Sequence, residues 1–280
     1  MDKVDLVMWT KNGEAYLPRV LKQISKVIPN ENVCHRIMVD DHSSDHTVDV
    51  AREFNWDVYP NPSGGVSSGA NEALRHVDCD FFVSVEQDII LSRNWWNEIP
   101  KHMADPLIAC AQGVRVPTHP ALKILAEWQR DVLGKKPSLV SIDNNIFRTK
   151  VVRSIGGFPK DCLICTDIIL MKRISAETPY KWVIDSNVTS LHIRNELRAS
   201  LEHQYKMGYL CSRTPYCIHE ENASLGVNLR ILLTSPFRAL QVAFKKSCPN
   251  ILWAYPLLRL YQLNIAIASR NAASQHHNDV

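Results

Sequence analysis

Two carboxylates one residue apart, Glu86 and Asp88, follow the apolar run Phe81-Phe82-Val83-Ser84-Val85 and stand directly before Ile89-Ile90-Leu91. Acids in so hydrophobic a setting are costly to desolvate unless a cation meets them. At the C-terminal end of a strand they project into the crevice where α/β sheets bind ligands. Hard divalent ions such as Mg²⁺ and Mn²⁺ take oxygen ligands, often shared with substrate phosphates. Acids also end strands merely as turn residues, so the pair needs support from the rest of the chain. Three further acids occupy comparable places: Asp40 and Asp41 after the strand-like Arg36–Val39, and Asp167 at the start of a helical stretch. A strand-end carboxylate can accept hydrogen bonds from a ribose hydroxyl or a base N–H. A carboxylate at a helix start is favoured in the ionised form that a general base needs.

The elements that must position these acids can be read from periodicity. Val4–Trp9 is expected to be a buried strand, and Glu14–Ile28 a helix with its apolar stripe at Leu17, Val20, Leu21, Ile24 and Val27. Arg36–Val39 is a second strand, and the turn Asp40–Asp45 introduces a helix over His46–Phe54, capped by Asp45. Trp56–Tyr59 is a strand, Ser68–His76 a helix and Phe81–Val85 a strand. Such alternation predicts an α/β fold with a mainly parallel sheet. Further along, Trp95–Met103 and Thr166–Ile174 read as helices, and Ala109–Val116, Leu139–Phe147 and Trp182–Leu191 as strands. Gly156-Gly157-Phe158-Pro159 is a sharp turn. After His192 the character becomes helical: Glu196–Cys211, then a helix begun by Ser235-Pro236 and ending near Cys248-Pro249. Residues 1–195 are thus expected to form the catalytic domain and 196–280 a helical extension.

Composition excludes little but constrains much. With 45% hydrophobic and 22% charged residues in 280, the chain is an ordinary folded protein. A net charge of +3 gives no reason to expect nucleic acid as a partner. The eight cysteines are scattered, with Cys162 and Cys165 the one C-x-x-C pair, so free thiols of a cytoplasmic protein are expected. No signal peptide and no membrane span is evident. The first turn, Thr10-Lys11-Asn12-Gly13-Glu14, lacks the G-x-G-x-x-G of a dinucleotide fold. There is also no P-loop and no G-x-S-x-G elbow, which disfavours nucleotide-cleaving P-loop enzymes and serine hydrolases.

A family resemblance joins the acids. Val39-Asp40-Asp41-His42-Ser43-Ser44-Asp45-His46-Thr47 resembles the V-D-D-G-S-x-D-x-T motif of family-2 glycosyltransferases, which have the glycosyltransferase-A fold. Asn12-Gly13-Glu14-Ala15-Tyr16-Leu17, Ser68–Leu74 and Glu86-Gln87-Asp88 resemble its first-turn, A-R-N-x-G-helix and D-x-D segments. Asn145–Arg148, Gly156-Gly157-Phe158 and Thr166-Asp167 follow in the family's order, so the likeness spans about residues 4 to 195. It implies that Thr10, Asn12, Glu14, Asp40, Asp41, Asn71, Glu86 and Gln87 line the nucleotide-sugar site. It further implies Asp88 as the metal ligand for Mg²⁺ or Mn²⁺, with Glu86 and His192 as its partners, and Asp167 as the base of an inverting displacement. The departures are Glu86 for the first aspartate, Thr166 for a glutamate, and the absence of the Q-x-x-R-W of processive synthases. A single-addition enzyme is therefore expected, taking a nucleotide-diphosphate sugar to a glycan or lipid-linked acceptor.

Two rival classes bear on that expectation. A sugar-1-phosphate nucleotidyltransferase would need a glycine-rich, arginine-bearing first loop, which is missing, and an inactive nucleotide-sugar-binding protein would lack base and metal ligand. The tail carries its own signal. From Leu225 to Val280 there are six basic residues and one acid, with Phe237, Leu240 and Phe244 on one stripe and Arg238 and Lys245 beside it. Two readings stand open: a peripheral contact with an anionic membrane on its cytoplasmic face, or packing against the catalytic domain.

Overall fold

A computed structural model of the chain describes residues 3–133, 140–160, 165–211 and 225–278. Cys162 and Cys217, and the start of the expected strand at Leu139, lie outside them. The chain divides into two compact units, residues 1–116 with 138–193, and residues 117–137 with 194–280.

The first unit is built on an eight-stranded sheet. β1 (Val4–Thr10) is buried along its whole length. The helix after it, α1 (Leu17–Val27), inserts Leu17, Val20, Leu21, Ile24 and Val27 into the core, the expected stripe. It begins at Leu17 rather than Glu14 because Pro18 occupies its first turn, where a missing N–H costs nothing. β2 (Val33–Asp40), α2 (Thr47–Glu53), β3 (Asp57–Pro60), α3 (Gly65–Arg75) and β4 (Phe81–Val85) complete the parallel half. β2 pairs with β1 and with β3, and β4 with β1, all parallel, so their C-terminal ends lie on one side. The register sets Thr10 opposite Asp40, and Asp40 opposite Pro60.

Beyond β4 the sheet becomes mixed. In chain order come β5 (Ile89–Ile90), α4 (Trp95–Glu98), β6 (Ile108–Pro117), α5 (Pro120–Leu133), β7 (Asn144–Arg148), α6 (Thr149–Ser154), α7 (Thr166–Glu177) and β8 (Lys181–His192). The sheet order is β3-β2-β1-β4-β7-β6-β8-β5. β7 runs antiparallel to both β4 and β6, and β5 antiparallel to β8. Apolar runs report burial on both faces, and a central antiparallel strand satisfies that as well as a parallel one. Strand direction was therefore not in the pattern, and the expected α/β class stands with a sheet that is parallel in one half only. β7 also starts five residues later than the expected strand. The rings of Phe82 and Phe147 stack across the β4–β7 pair, and Phe158 meets both Phe147 and Trp9 edge-on. Gly156 and Gly157 both take positive φ, +80° and +86°, and a Cβ on Gly157 would meet Asn71 Oδ1 at 2.4 Å. That turn is open to glycine alone.

The second unit is helical. α8 (Leu197–Cys211), α9 (Leu225–Lys245) and α10 (Ile251–Asn278) form it together with α5, which the sequence pattern left unassigned. Its core joins Leu122 and Leu125 of α5 to Leu197, Leu201, Ala239, Ala243, Ile251, Tyr255 and Leu258. Ser235-Pro236 does not open a helix: Pro236 sits inside α9. A proline cannot donate to the carbonyl four residues back. The Ser235 hydroxyl donates to that carbonyl, Leu232 O, at 2.7 Å, and so the helix continues through the proline. α9 is inverted relative to an ordinary amphipathic helix. Its buried face is Ser235, Ala239 and Ala243, while Leu229, Leu233, Phe237, Leu240 and Phe244 are exposed. No helix among the described residues is long and apolar enough to cross a membrane. The cysteines are not all free thiols: Cys165 and Cys211 are each disulfide-bonded.

Candidate active site

The first turn and the β2–α2 turn are laced together by side chains. Asn12 takes positive φ and its Oδ1 accepts the Ser44 N–H at 2.9 Å, while its own N–H donates to Ser43 Oγ at 2.8 Å. Glu14 accepts the His46 N–H at 3.1 Å and donates its N–H to Asp45 at 3.2 Å. Asp45 also accepts the Thr47 N–H at 3.0 Å, the expected role at the start of α2. Asp40 is occupied by Ser43, which gives its hydroxyl at 2.5 Å and its N–H at 3.0 Å. Asp41 is held differently, at the mouth of the turn. It pairs with Lys11 Nζ at 3.2 Å and accepts the Gly65 N–H at 3.3 Å.

The strand-end acids separate as soon as β4 ends. Glu86 turns toward β1 and accepts the Trp9 indole N–H at 3.1 Å. Gln87 closes the same gap with its amide: it accepts the Lys11 N–H at 2.9 Å, donates to Lys11 O at 3.0 Å and accepts the Thr10 hydroxyl. Asp88 points elsewhere. The two-residue β5 pairs antiparallel with the end of β8, setting Ile89 against His192. The Ile193 N–H then donates to Asp88 O at 2.8 Å, and His192 Nε2 comes within 3.3 Å of Asp88 Oδ2. The two side chains are largely shielded from solvent. A carboxylate oxygen and an imidazole nitrogen meeting at strand ends suit a transition ion of the Mn²⁺ kind, since imidazole is a poorer ligand for Mg²⁺. Glu86 does not join them in a compact three-ligand cluster among the described residues.

Asp167 lies in the first turn of α7, whose start is tied to α3 by a 2.7 Å contact between the Thr166 and Ser67 hydroxyls. Burial pushes the Asp167 carboxyl above its ordinary range, against the Ile168 N–H bond at 2.8 Å and the Arg115 charge, which draw it down. The backbone N–H groups favour the ionised form as expected of a helix start, but desolvation is the larger influence. Arg115, near the end of β6, ion-pairs with Asp143, which is buried just before β7. The Asp143 carbonyl in turn accepts the Glu86 N–H at 3.4 Å. Arg115 thus pairs with Asp143 while its charge also acts on Asp167.

Several residues expected to line a nucleotide-sugar site are engaged in holding the protein together. Asn71 grips Phe158 by both backbone groups, each at 2.9 Å, and donates to Ser67 O at 2.9 Å. Thr10, Asn12, Glu14, Asp40 and Gln87 brace the turns that form the rim. Asp41 pairs with Lys11, Asp88 meets His192, and Asp167 lies within the influence of the Arg115 charge. Sequence reasoning missed Arg115, Asp143 and Lys11. Arg115 ends an apolar strand just as Glu86 does, and that was the available signal.

Residues 5–155 match the profile of glycosyl transferase family 2. The O-antigen chain rhamnosyltransferase RfbN of Salmonella typhimurium is 23% identical over 278 residues, covering 87% of either chain. A second O-antigen chain rhamnosyltransferase, WbaN of Salmonella anatum, is 24% identical over 75% of this chain and 76% of its own. The mannosyltransferase PcManGT from Pyrobaculum calidifontis, solved with GDP-Man and Mn²⁺, superposes with a TM-score of 0.65 at 15% identity over 95% of this chain and 86% of that one. Glucosyl-3-phosphoglycerate synthase from Mycobacterium tuberculosis, solved with Mn²⁺, UDP and phosphoglyceric acid, does so at 0.56 and 14% over 77% and 78%. The fold is the glycosyltransferase-A fold. With the profile matching more than half of its length, the chain belongs to glycosyl transferase family 2 and is a glycosyltransferase.

Proposed function

We propose that this enzyme transfers one sugar, with inversion and with the help of a divalent metal, from a nucleoside-diphosphate sugar to a hydroxyl of a glycan acceptor. The observation that carries the proposal is the approach of Asp88 and His192 to 3.3 Å at the same strand ends that carry Asp41 and lead to Asp167. Asp88 and His192 would hold the ion, with Mn²⁺ the better match. When bound, such an ion neutralises charge on the departing nucleoside diphosphate. Asp41 and Lys11 stand where a ribose hydroxyl and a phosphate oxygen can be met. Asp167 accepts the proton of the acceptor hydroxyl as its oxygen bonds to the anomeric carbon and the bond to the diphosphate breaks. Burial suits Asp167 to this task, because a carboxylate in a poorly solvated place is a stronger base. The resemblance to O-antigen chain rhamnosyltransferases makes a nucleoside-diphosphate rhamnose the first donor to test and a lipid-linked glycan the first acceptor.

The tail fits a lipid-linked acceptor. Leu229, Leu233, Phe237, Leu240 and Phe244 form an exposed stripe along α9, beside the exposed Arg230, Lys245 and Lys246. Exposed apolar stripes flanked by basic residues are the pattern of helices that lie in an anionic membrane interface. The reaction itself is tested with purified enzyme, donor and acceptor. Asp88→Asn and Asp167→Asn should each lose sugar transfer while retaining the fold. Full activity in either variant would reject that residue's role. Anomeric proton couplings of the product by NMR decide inversion.

A further inference from the structure

A second cluster of ligand-type side chains lies at the opposite end of the parallel strands from Asp88. Asp5 is the second residue of β1 and is fully buried, Cys34 is the second residue of β2, and Cys79 stands two residues before β4. The parallel register, Val4 opposite Val33 and Asp5 opposite Phe82, brings the start of β2 and the approach to β4 to either side of Asp5. A carboxylate oxygen of Asp5 and the two sulfur atoms lie within 4.8 Å of one another. Cys34 and Cys79 are free thiols, and Cys34 is exposed, so the cluster opens to solvent. His35 Nδ1 is 2.8 Å from Asp5 Oδ1. The Asp5 carboxylate is held in place by the N–H groups of Asp78 at 2.6 Å, Cys79 at 2.8 Å and His35 at 3.2 Å.

We propose that Cys34, Cys79 and Asp5 form a binding site for a thiophilic divalent cation of the zinc class, separate from the sugar-transfer site. Two sulfurs and a carboxylate are ligand types zinc takes, and thiolates disfavour the hard ions expected at Asp88. Three separate chain segments supply them, and the carboxylate is oriented by backbone N–H groups as metal-ligating carboxylates usually are. A carboxylate that only tied β1 to its neighbours would need neither thiol. Binding replaces both thiol protons by the cation and releases them to solvent. The ion would then cross-link the N-terminal ends of β1 and β2 and the entry to β4, and stabilise the native state by mass action.

The full-length protein, reduced and freed of metal, is titrated with Co²⁺ and, separately, with Zn²⁺. The expected result is a near-ultraviolet thiolate-to-cobalt charge-transfer band that saturates at one ion per chain and is bleached by Zn²⁺. Zn²⁺ should also raise the melting temperature, and about two protons per ion should be released. Cys34→Ser, an exposed position that the fold tolerates, and Cys79→Ser should each abolish the band and the melting shift while sugar transfer stays at its wild-type rate. Absence of the band in folded wild-type protein overturns the proposal, as does a band of equal strength in both serine variants. Should Cys79→Ser fail to fold, Cys34→Ser and protection of Cys34 from iodoacetamide by Zn²⁺ decide the matter.

Discussion

The exposed stripe of α9 makes a prediction whose size can be worked out. Phe237 and Phe244 are 79% and 87% exposed, so in the free protein they contribute little to the core. Fully burying a phenylalanine is worth about 1.5–3 kcal/mol, and immersion of one face in a membrane interface about half of that. Replacing both with serine should therefore weaken binding to anionic vesicles by about 1.5–3 kcal/mol, which is about 10–150-fold in the partition constant. Each basic neighbour near an anionic leaflet adds about 1 kcal/mol, so binding should also fall steeply with salt. Folding stability is the control. Substitution at sites this exposed normally changes it by no more than about 0.5 kcal/mol, whereas phenylalanines packed in a core lose about 3–5 kcal/mol on truncation. Vesicle co-sedimentation of the wild type and of Phe237→Ser/Phe244→Ser, with thermal melts of both, separates the two cases. Unchanged vesicle binding, or a large drop in melting temperature with binding intact, would refute the membrane contact.

Four further outcomes follow from the site. Because burial raises the Asp167 carboxyl, transfer should decline as pH falls through a value above the ordinary aspartate range. Arg115→Ala, which removes a charge that lowers it, should move that limb to higher pH, and an unmoved limb would exclude Asp167 as the titrating base. The same raised value means that Asp167 favours folding least once it is ionised, so stability is lost as pH rises from the unfolded value to the folded one. Asp167→Asn should accordingly melt higher than wild type at neutral pH, and that advantage should vanish in acid; a lower melting temperature at neutral pH would contradict the burial argument. Asn71→Ala strips three hydrogen bonds and leaves both backbone groups of Phe158 without this partner, a loss of about 2–4 kcal/mol in denaturant unfolding. Unchanged stability with a raised KM for donor would instead make Asn71 a substrate contact. Chelation should abolish transfer and Mn²⁺ restore it, with His192→Ala requiring more Mn²⁺ than the wild type; activity indifferent to chelator would remove Asp88 and His192 from metal binding.

Much of this molecule could be read from local pattern. The stripe Leu17, Val20, Leu21, Ile24, Val27 became the buried face of α1, and the runs ending at Thr10, Asp40 and Val85 became adjacent parallel strands. Each is a burial signal confined to one segment, and neighbouring elements of a β–α–β series pair with one another almost by necessity. The motif order from Asp41 through Asp88 to Asp167 was legible for the same reason. Which polar groups brace the fold was not, because Gln87 and Asn71 look alike in sequence whether they bond a ligand or a backbone amide. His192 could be suspected but not located, since a two-residue strand and its antiparallel register bring it to Asp88 from a hundred residues away. The ion pair of Arg115 with Asp143 is likewise a product of β6 and β7 lying side by side. On α9 the apolar stripe was visible, but its direction was not. Small residues pack inward and phenylalanines outward, and only the neighbouring helices determine which face is covered. Periodicity is a property of one segment; pairing, coverage and charge contact arise between segments, and those the tertiary structure alone decided.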